Sequence, residues 1–210
     1  QSFMTLLFTQ ILSGSTLGLF AGLAPGPMLA LVLAQTVQYS AGEGIKVATA
    51  PLITDPPIIA LACIFFLQVA DIQPFLAVLS CVGAAYLGYL GLEAMRITAA
   101  DLDIPQQKPK SLQKGILTNF LNPHPYLFWF SVGVPLLFSS ETNTGLAAAI
   151  FLGCFYLFLV GSKMALALLV DRGKTLIQTR IYPWIMRGLG IALWIFGVLF
   201  LLKGLRMLFL

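Results

Sequence analysis

Apolar residues run in long stretches, at roughly 3–41, 46–68, 73–96, 115–138, 145–170 and 184–208, divided by short polar connectors. No stretch alternates with the period of a half-buried strand or of a lipid-facing barrel. Helices are the open-chain solution in lipid, because lipid satisfies no backbone polar group. Each stretch after the first suits one helix crossing a hydrocarbon core ~30 Å thick with some tilt. The pattern therefore predicts an all-α integral membrane protein with six transmembrane helices. The first stretch is too long for one of them. Residues 1–42 carry no formal side-chain charge. As one helix they would run roughly 63 Å, about twice the core, so the segment must break, bend or leave the membrane.

Composition agrees with this placement. Apolar residues make up 59% of the chain, charged residues 10%, and the mean hydropathy is +0.92. About a quarter charged is usual in a soluble domain, and so much apolar surface cannot be hidden in one of this size. The isoelectric point near 9.1 does not call for nucleic acid, since no basic run is long enough for a polyanion. Cys63, Cys81 and Cys154 lie in apolar segments without a C-x-x-C, and read as small packing residues rather than a zinc or disulfide framework. The start is too long and lacks the basic region of a cleaved signal peptide. No G-x-x-x-x-G-K-[ST] is present, so ATP is not the expected energy source. No cofactor or metal is expected.

The connectors differ in charge. Lys46 follows the first stretch, Arg96, Lys108, Lys110 and Lys114 the third, and Arg172, Lys174, Arg180 and Arg187 the fifth. Those after the second and fourth hold only Asp71 and Glu141. By the positive-inside rule the odd connectors are cytoplasmic and both termini lie outside, in a bacterial or archaeal plasma (inner) membrane. The longest connector, 98–114, reads as a solvated cytoplasmic linker between a first three-helix half (1–97) and a second (115–210).

Both halves begin with a Pro-x-Pro. Ala24-Pro25-Gly26-Pro27 and Asn122-Pro123-His124-Pro125 place their prolines 98 residues apart (123 − 25). Proline cannot donate to the helix ladder and clashes with the preceding turn, so each pair breaks a helix. An odd number of spans per half makes the halves opposite in orientation. That is the pattern of a 3+3 inverted repeat whose broken helices form a midplane substrate site. Pro27 and Pro125 would each open a half-helix, capped by Gly26 and His124, with free N–H groups favouring an anion such as a carboxylate.

Asp55, in Pro51-Leu52-Ile53-Thr54-Asp55-Pro56-Pro57, is an intramembrane carboxylate and so a functional candidate by default. The prolines after it are expected to keep the local backbone irregular. Asp55 can carry a proton, bind a substrate ammonium, or form a structural pair with Lys163. Lys163 can partner Asp55 or snorkel to the inner surface. His124 can handle a proton or serve as a cap. Asn119 and Asn122 before the second break, and Gln35, Thr36 and Gln38 after the first, are equally suited to scaffold and substrate roles. Tyr86, Tyr89 and Tyr156 read as packing or cavity-lining residues. The small-residue run 83–91 permits close helix approach, within the bundle or across a homodimer face.

These residues resemble a family. Gly22-Leu23-Ala24-Pro25-Gly26-Pro27 is similar to the Gly-x-x-Pro-Gly-Pro start of LysE-type transporters, the lysine exporter and homoserine/threonine exporter family. Gly42, Gly44 and Asp55 fall where that family has glycines and an intramembrane Asp. Residues 85–91 look like its third helix, and 117–123 followed by Leu127-Phe128-Trp129 like its fourth. Thr54 and the His124-Pro125 pair depart from its usual residues. The resemblance implies six helices and secondary export of amino acids or related zwitterions, not an enzyme. The two repeats would alternate access to a site at Pro25, Gly26, Pro27, Asn119, Asn122, Pro123, His124 and Pro125. Asp55, Lys163 and His124 would serve proton coupling or ammonium binding. The implied partners are a small-molecule substrate, membrane lipids and a proton or ion gradient. Export of a metal or other cation is the alternative, though one membrane Asp and one His are few ligands for it. A thiol–disulfide carrier is disfavoured because no cysteine neighbours either break.

Overall fold

A computed structural model describes residues 3–68, 73–96, 109–137, 145–173 and 182–209. Among them there are helices and no strand. In chain order they are α1 (Phe3–Leu23), α2 (Pro27–Gln38), α3 (Ala41–Ala48), α4 (Pro51–Gln68), α5 (Gln73–Met95), α6 (Ser111–Phe120) and α7 (Pro123–Phe128). A π-helical turn over Trp129–Gly133 joins α7 to α8 (Val134–Leu137), and α9 (Gly145–Gly173) and α10 (Tyr182–Phe209) follow. Five described spans are long and apolar enough to cross a membrane: Met4–Leu23, Ala41–Phe65, Pro74–Met95, Gly145–Gly173 and Pro183–Met207. The 115–138 stretch gives no such helix because it is divided at Leu121-Asn122. Asp71, Glu141, Lys174, Arg180 and the linker up to residue 108 lie outside the described residues. The remainder of the linker is partly helical, since α6 starts at Ser111 rather than beyond Lys114.

The overlong first segment resolves into two helices laid along α9. Glycines at 14, 18 and 22 put one stripe of α1 directly on its backbone. A Cβ on Gly14 would lie 2.6 Å from the Phe151 carbonyl oxygen, and one on Gly18 would collide with that of Phe155. Gly22 meets Leu159 and Ser162 in the same way. The offset is constant (151 − 14 = 155 − 18 = 159 − 22 = 137), so the two helices run parallel. In that register residues 3–7 project past Gly145, about 7 Å at 1.5 Å per residue. The residues before Pro25 thus form a full-length apolar helix of 21 residues, only the first five of which overhang α9. Seen afterwards, Gly14-x-x-x-Gly18-x-x-x-Gly22 is a readable small-residue motif.

The other close pair is α5 with α10, which run antiparallel. Gly91 abuts Gly190 and Trp194, Gly197 faces Ala84 and Leu87, and Gly204 faces Ala77 and Cys81. The small residues of the 83–91 run at Gly83 and Gly91 thus serve packing within the bundle. Cys154, beside Gly14, and Cys81, beside Gly204, also sit at these close approaches.

Between the clamped pairs lie the broken helices. Leu31, Val32, Val47, Leu87, Leu193 and Phe200 join α2, α3, α5 and α10 in one core. Ile58, Leu76, Trp129, Val134 and Phe155 join α4, α5, α7, α8 and α9 in a second. Large apolar residues such as Phe8, Phe20, Leu157, Leu169 and Leu202 stay exposed around the outside, as a lipid-facing surface requires.

One end of the bundle is polar. Ser111 Oγ donates to Gln35 Oε1 at 2.8 Å, Lys114 Nζ lies 2.6 Å from Glu93 Oε1, and Lys46 Nζ lies 2.6 Å from Glu43 Oε1. Gln35 is thereby a tie between α2 and α6, and Thr36 bonds back to the Val32 carbonyl at 2.7 Å; neither lines the central cavity. Two sequence expectations change here. The second stretch begins its helix at Ala41, earlier than residue 46. Its irregular backbone lies at Thr49-Ala50, not around Asp55, because Pro51 starts α4 and the helix continues through Pro56 and Pro57.

Candidate functional site

Both breaks open onto one cavity of about 280 Å3. Pro25, Gly26, Pro27 and Met28 line it from the first, and Asn119, Asn122, His124 and Pro125 from the second. Asp55 comes from α4, Lys163 from α9, and Phe128, Trp129, Phe155 and Leu159 form apolar wall. Of the predicted site residues only Pro123 is absent from the lining. It is buried as the first residue of α7.

The two breaks are built differently. At the first, Gly26 is extended and α2 begins at Pro27, as predicted. The Gly26 carbonyl accepts from Ala30, so the Met28 and Leu29 amides have no helical partners, and Met28 lines the cavity. Pro25 in turn removes the donor that the Ala21 carbonyl would have had. Lys163 Nζ replaces it, donating to Ala21 O at 3.2 Å. Lys163 is 3% exposed. It therefore does not snorkel, and no ion pair within 4.0 Å joins it to Asp55 among the described residues. Both charges line one cavity and act on each other across it without a direct ion pair, so the burial of Lys163 overturns only the snorkelling reading.

At the second break the half-helix starts two residues earlier than expected. Asn122, not His124, is the N-cap, and its side chain accepts from the His124 N–H at 3.0 Å. Pro123 and Pro125 have no N–H, so this terminus presents no free amide in its first turn. Capture of the His124 N–H frees the Phe120 carbonyl, which accepts from Tyr126 OH at 3.0 Å. The Leu121 carbonyl, deprived of a donor by Pro125, presses against Gly83 where no Cβ would fit. His124 lines the cavity and turns its ring to Phe200, 5.8 Å between centroids. The expectation that Pro125 opens the second half-helix under a His124 cap is thus corrected.

Asp55 is 3% exposed and held by three donors. Asn119 Nδ2 donates to Oδ1 at 2.9 Å, and Tyr156 OH and Trp129 Nε1 donate to Oδ2 at 3.2 and 3.4 Å. Asn119 Nδ2 also donates to Thr54 Oγ1 at 2.6 Å. The π-helical turn brings Trp129 here: Gly133 lies against its ring, leaving no room for a Cβ, and such turns often mark functional positions. Trp129 and the hydroxyl of Tyr156 were not singled out for this task by sequence. The only signals were the Leu127-Phe128-Trp129 motif and a tyrosine in an apolar helix. Among the described residues no three His, Cys, Asp or Glu side chains gather as a metal site.

A helical chain with several apolar spans and two charged side chains buried at a cavity between them is a multi-pass membrane protein. The LysE type translocator family model matches residues 19–204, and the chain belongs to that family. Members are membrane transporters rather than enzymes. Neither a curated protein nor a solved structure matches the chain.

Proposed function

We propose that the protein is a secondary exporter of amino acids or related small zwitterions, working by alternating access and coupled to a proton or ion gradient. The observation that carries this is a small cavity lined by a carboxylate and an ammonium that interact across it without a direct ion pair. A zwitterion fits between two such charges. Its ammonium meets Asp55. Its carboxylate meets the Met28 and Leu29 amides at the α2 N-terminus, with Lys163 close by. Asp55 couples transport to protons by exchanging a proton for the substrate ammonium, with His124 as the second proton-handling group.

A 3+3 inverted repeat is supported by the contacts. The polar end gathers the C-terminus of α2, the start of α3, the C-terminus of α5 and the start of α6. With α1 and α2 following α9, successive spans reverse direction, and the broken span of the second half runs opposite to that of the first. The described cations Lys46, Arg96, Lys110, Lys114, Arg172 and Arg187 share that polar end, which we take as cytoplasmic in the plasma membrane, with both termini on the far side.

The test is counterflow into proteoliposomes preloaded with single unlabelled amino acids. Saturable, stereoselective accumulation of label that responds to an imposed pH gradient is expected. Absence of flux across all proteinogenic amino acids refutes the proposal.

A further inference from the structure

We infer that the cavity is specific for amino acids with an uncharged, apolar side chain and rejects lysine and arginine. This rests on the exporter reading above and narrows its substrate class.

Charge inventory comes first. Asp55 is the only acidic residue in the lining, against Lys163. One carboxylate can neutralise one ammonium, and the α-ammonium of any amino acid already needs it. An ionised carboxylate offers about four lone-pair sites. Asn119, Tyr156 and Trp129 occupy three of those on Asp55. The room left accepts a single N–H, not the forked pair that a guanidinium presents. A side-chain cation would be left without a counter-charge in a desolvated cavity already containing Lys163.

The remaining wall decides what else fits. Met28, Phe128, Trp129, Phe155 and Leu159 are apolar, with Phe128 and Phe155 stacked at 5.1 Å between centroids. Polar lining groups are mostly committed within the protein. Asn119 Nδ2 donates to Thr54 and Asp55, and the Asn122 side-chain oxygen caps α7. Beyond the His124 ring a polar substrate side chain would find few partners, whereas an aliphatic or aromatic one gains burial. A volume of about 280 Å3 lies just below the range for drug-sized ligands and suits one amino acid.

The experiment is isothermal titration of the purified full-length chain with leucine, methionine, phenylalanine, lysine, arginine, leucinamide and 4-methylpentanoate. The apolar amino acids are expected to bind, with lysine and arginine about 100-fold weaker or more. Leucinamide, lacking the carboxylate, and 4-methylpentanoate, lacking the ammonium, should each fall well below leucine. Lysine binding within a few-fold of leucine, or tighter, overturns the inference while leaving the exporter reading intact. If 4-methylpentanoate matches leucine, the Asp55–ammonium contact is wrong and the inference falls with it. Failure of every zwitterion to bind overturns the exporter reading itself.

Discussion

Replacing Asp55 with asparagine separates what the carboxylate does for the fold from what it does for a ligand. The substitution is nearly isosteric. If the new amide oxygen takes the Oδ1 position, it keeps the bond from Asn119, now 2.9 Å. The amide nitrogen then sits at the Oδ2 position and donates to the Tyr156 hydroxyl, which accepts as readily as it donates. Of the hydrogen bonds only that from the Trp129 N–H is lost, and it is long at 3.4 Å, while buried Lys163 loses the opposite charge across the cavity. One buried donor left unpaired costs about 1–2 kcal/mol, partly offset because a buried charge has been removed. For a chain of this size Tm should fall by no more than about 6 °C. The ligand fares worse. Removing one partner of a desolvated ion pair costs about 3–5 kcal/mol, equivalent to an affinity loss of roughly 100-fold to several thousand-fold. The assay pairs a thermal melt with leucine titration and counterflow at matched protein incorporation. A variant that melts normally and keeps more than a tenth of wild-type affinity (on the order of 1.4 kcal/mol) refutes the ammonium assignment. A variant that does not fold refutes the hydrogen-bond accounting.

Other consequences can be checked in the same preparations. Gly18→Leu should separate α1 from α9 and lower Tm markedly, since even a Cβ collides with the Phe155 carbonyl and overpacking costs about 1–3 kcal/mol; an unchanged melt refutes the parallel packing. Asn122→Ala removes the α7 cap and should cost about 1 kcal/mol, with Asn122→Asp restoring most of it; equal melts for all three refute the cap. Lys163→Met removes the donor to the Ala21 carbonyl and the cation nearest the α2 terminus. Leucine affinity should drop about tenfold to 100-fold, the value of a charge-assisted hydrogen bond, and an unchanged affinity removes Lys163 from the carboxylate site.

What the sequence made legible was local. Proline interrupts a helix ladder wherever it stands, so both breaks and the Pro27 start of α2 followed from composition alone. A charged side chain in an apolar stretch stands out in the same way, which is why Asp55 and Lys163 are legible. Partners were not legible. The Ala21 carbonyl is orphaned by Pro25, four residues on, but the group that satisfies it comes from a helix far along the chain. Trp129 and Tyr156 look like any aromatic residue in a membrane helix until packing brings them to Asp55. The second break was misplaced by two residues for a physical reason: the Asn122 side chain competes for the His124 N–H, so capping overrode the choice of Pro125 as the first residue. Pro56-Pro57 misled in the opposite sense. Pro51 supplies the helix start, and α4 runs on without the two bonds those prolines cannot donate to Leu52 and Ile53.

The pairing of the long helices bears on which parts can move as blocks. α1 belongs to the first half of the chain, yet its glycine stripe is fused to α9 of the second; α5 and α10 are joined across the halves in the same way. Neither half can swing as a unit without tearing both glycine seams. The midpoint of the polypeptide is therefore not a mechanical boundary. A motion that kept both glycine seams closed would carry α1 with α9 and α5 with α10. In such a motion Tyr156 and Lys163, both on α9, would shift together relative to Asp55 on α4.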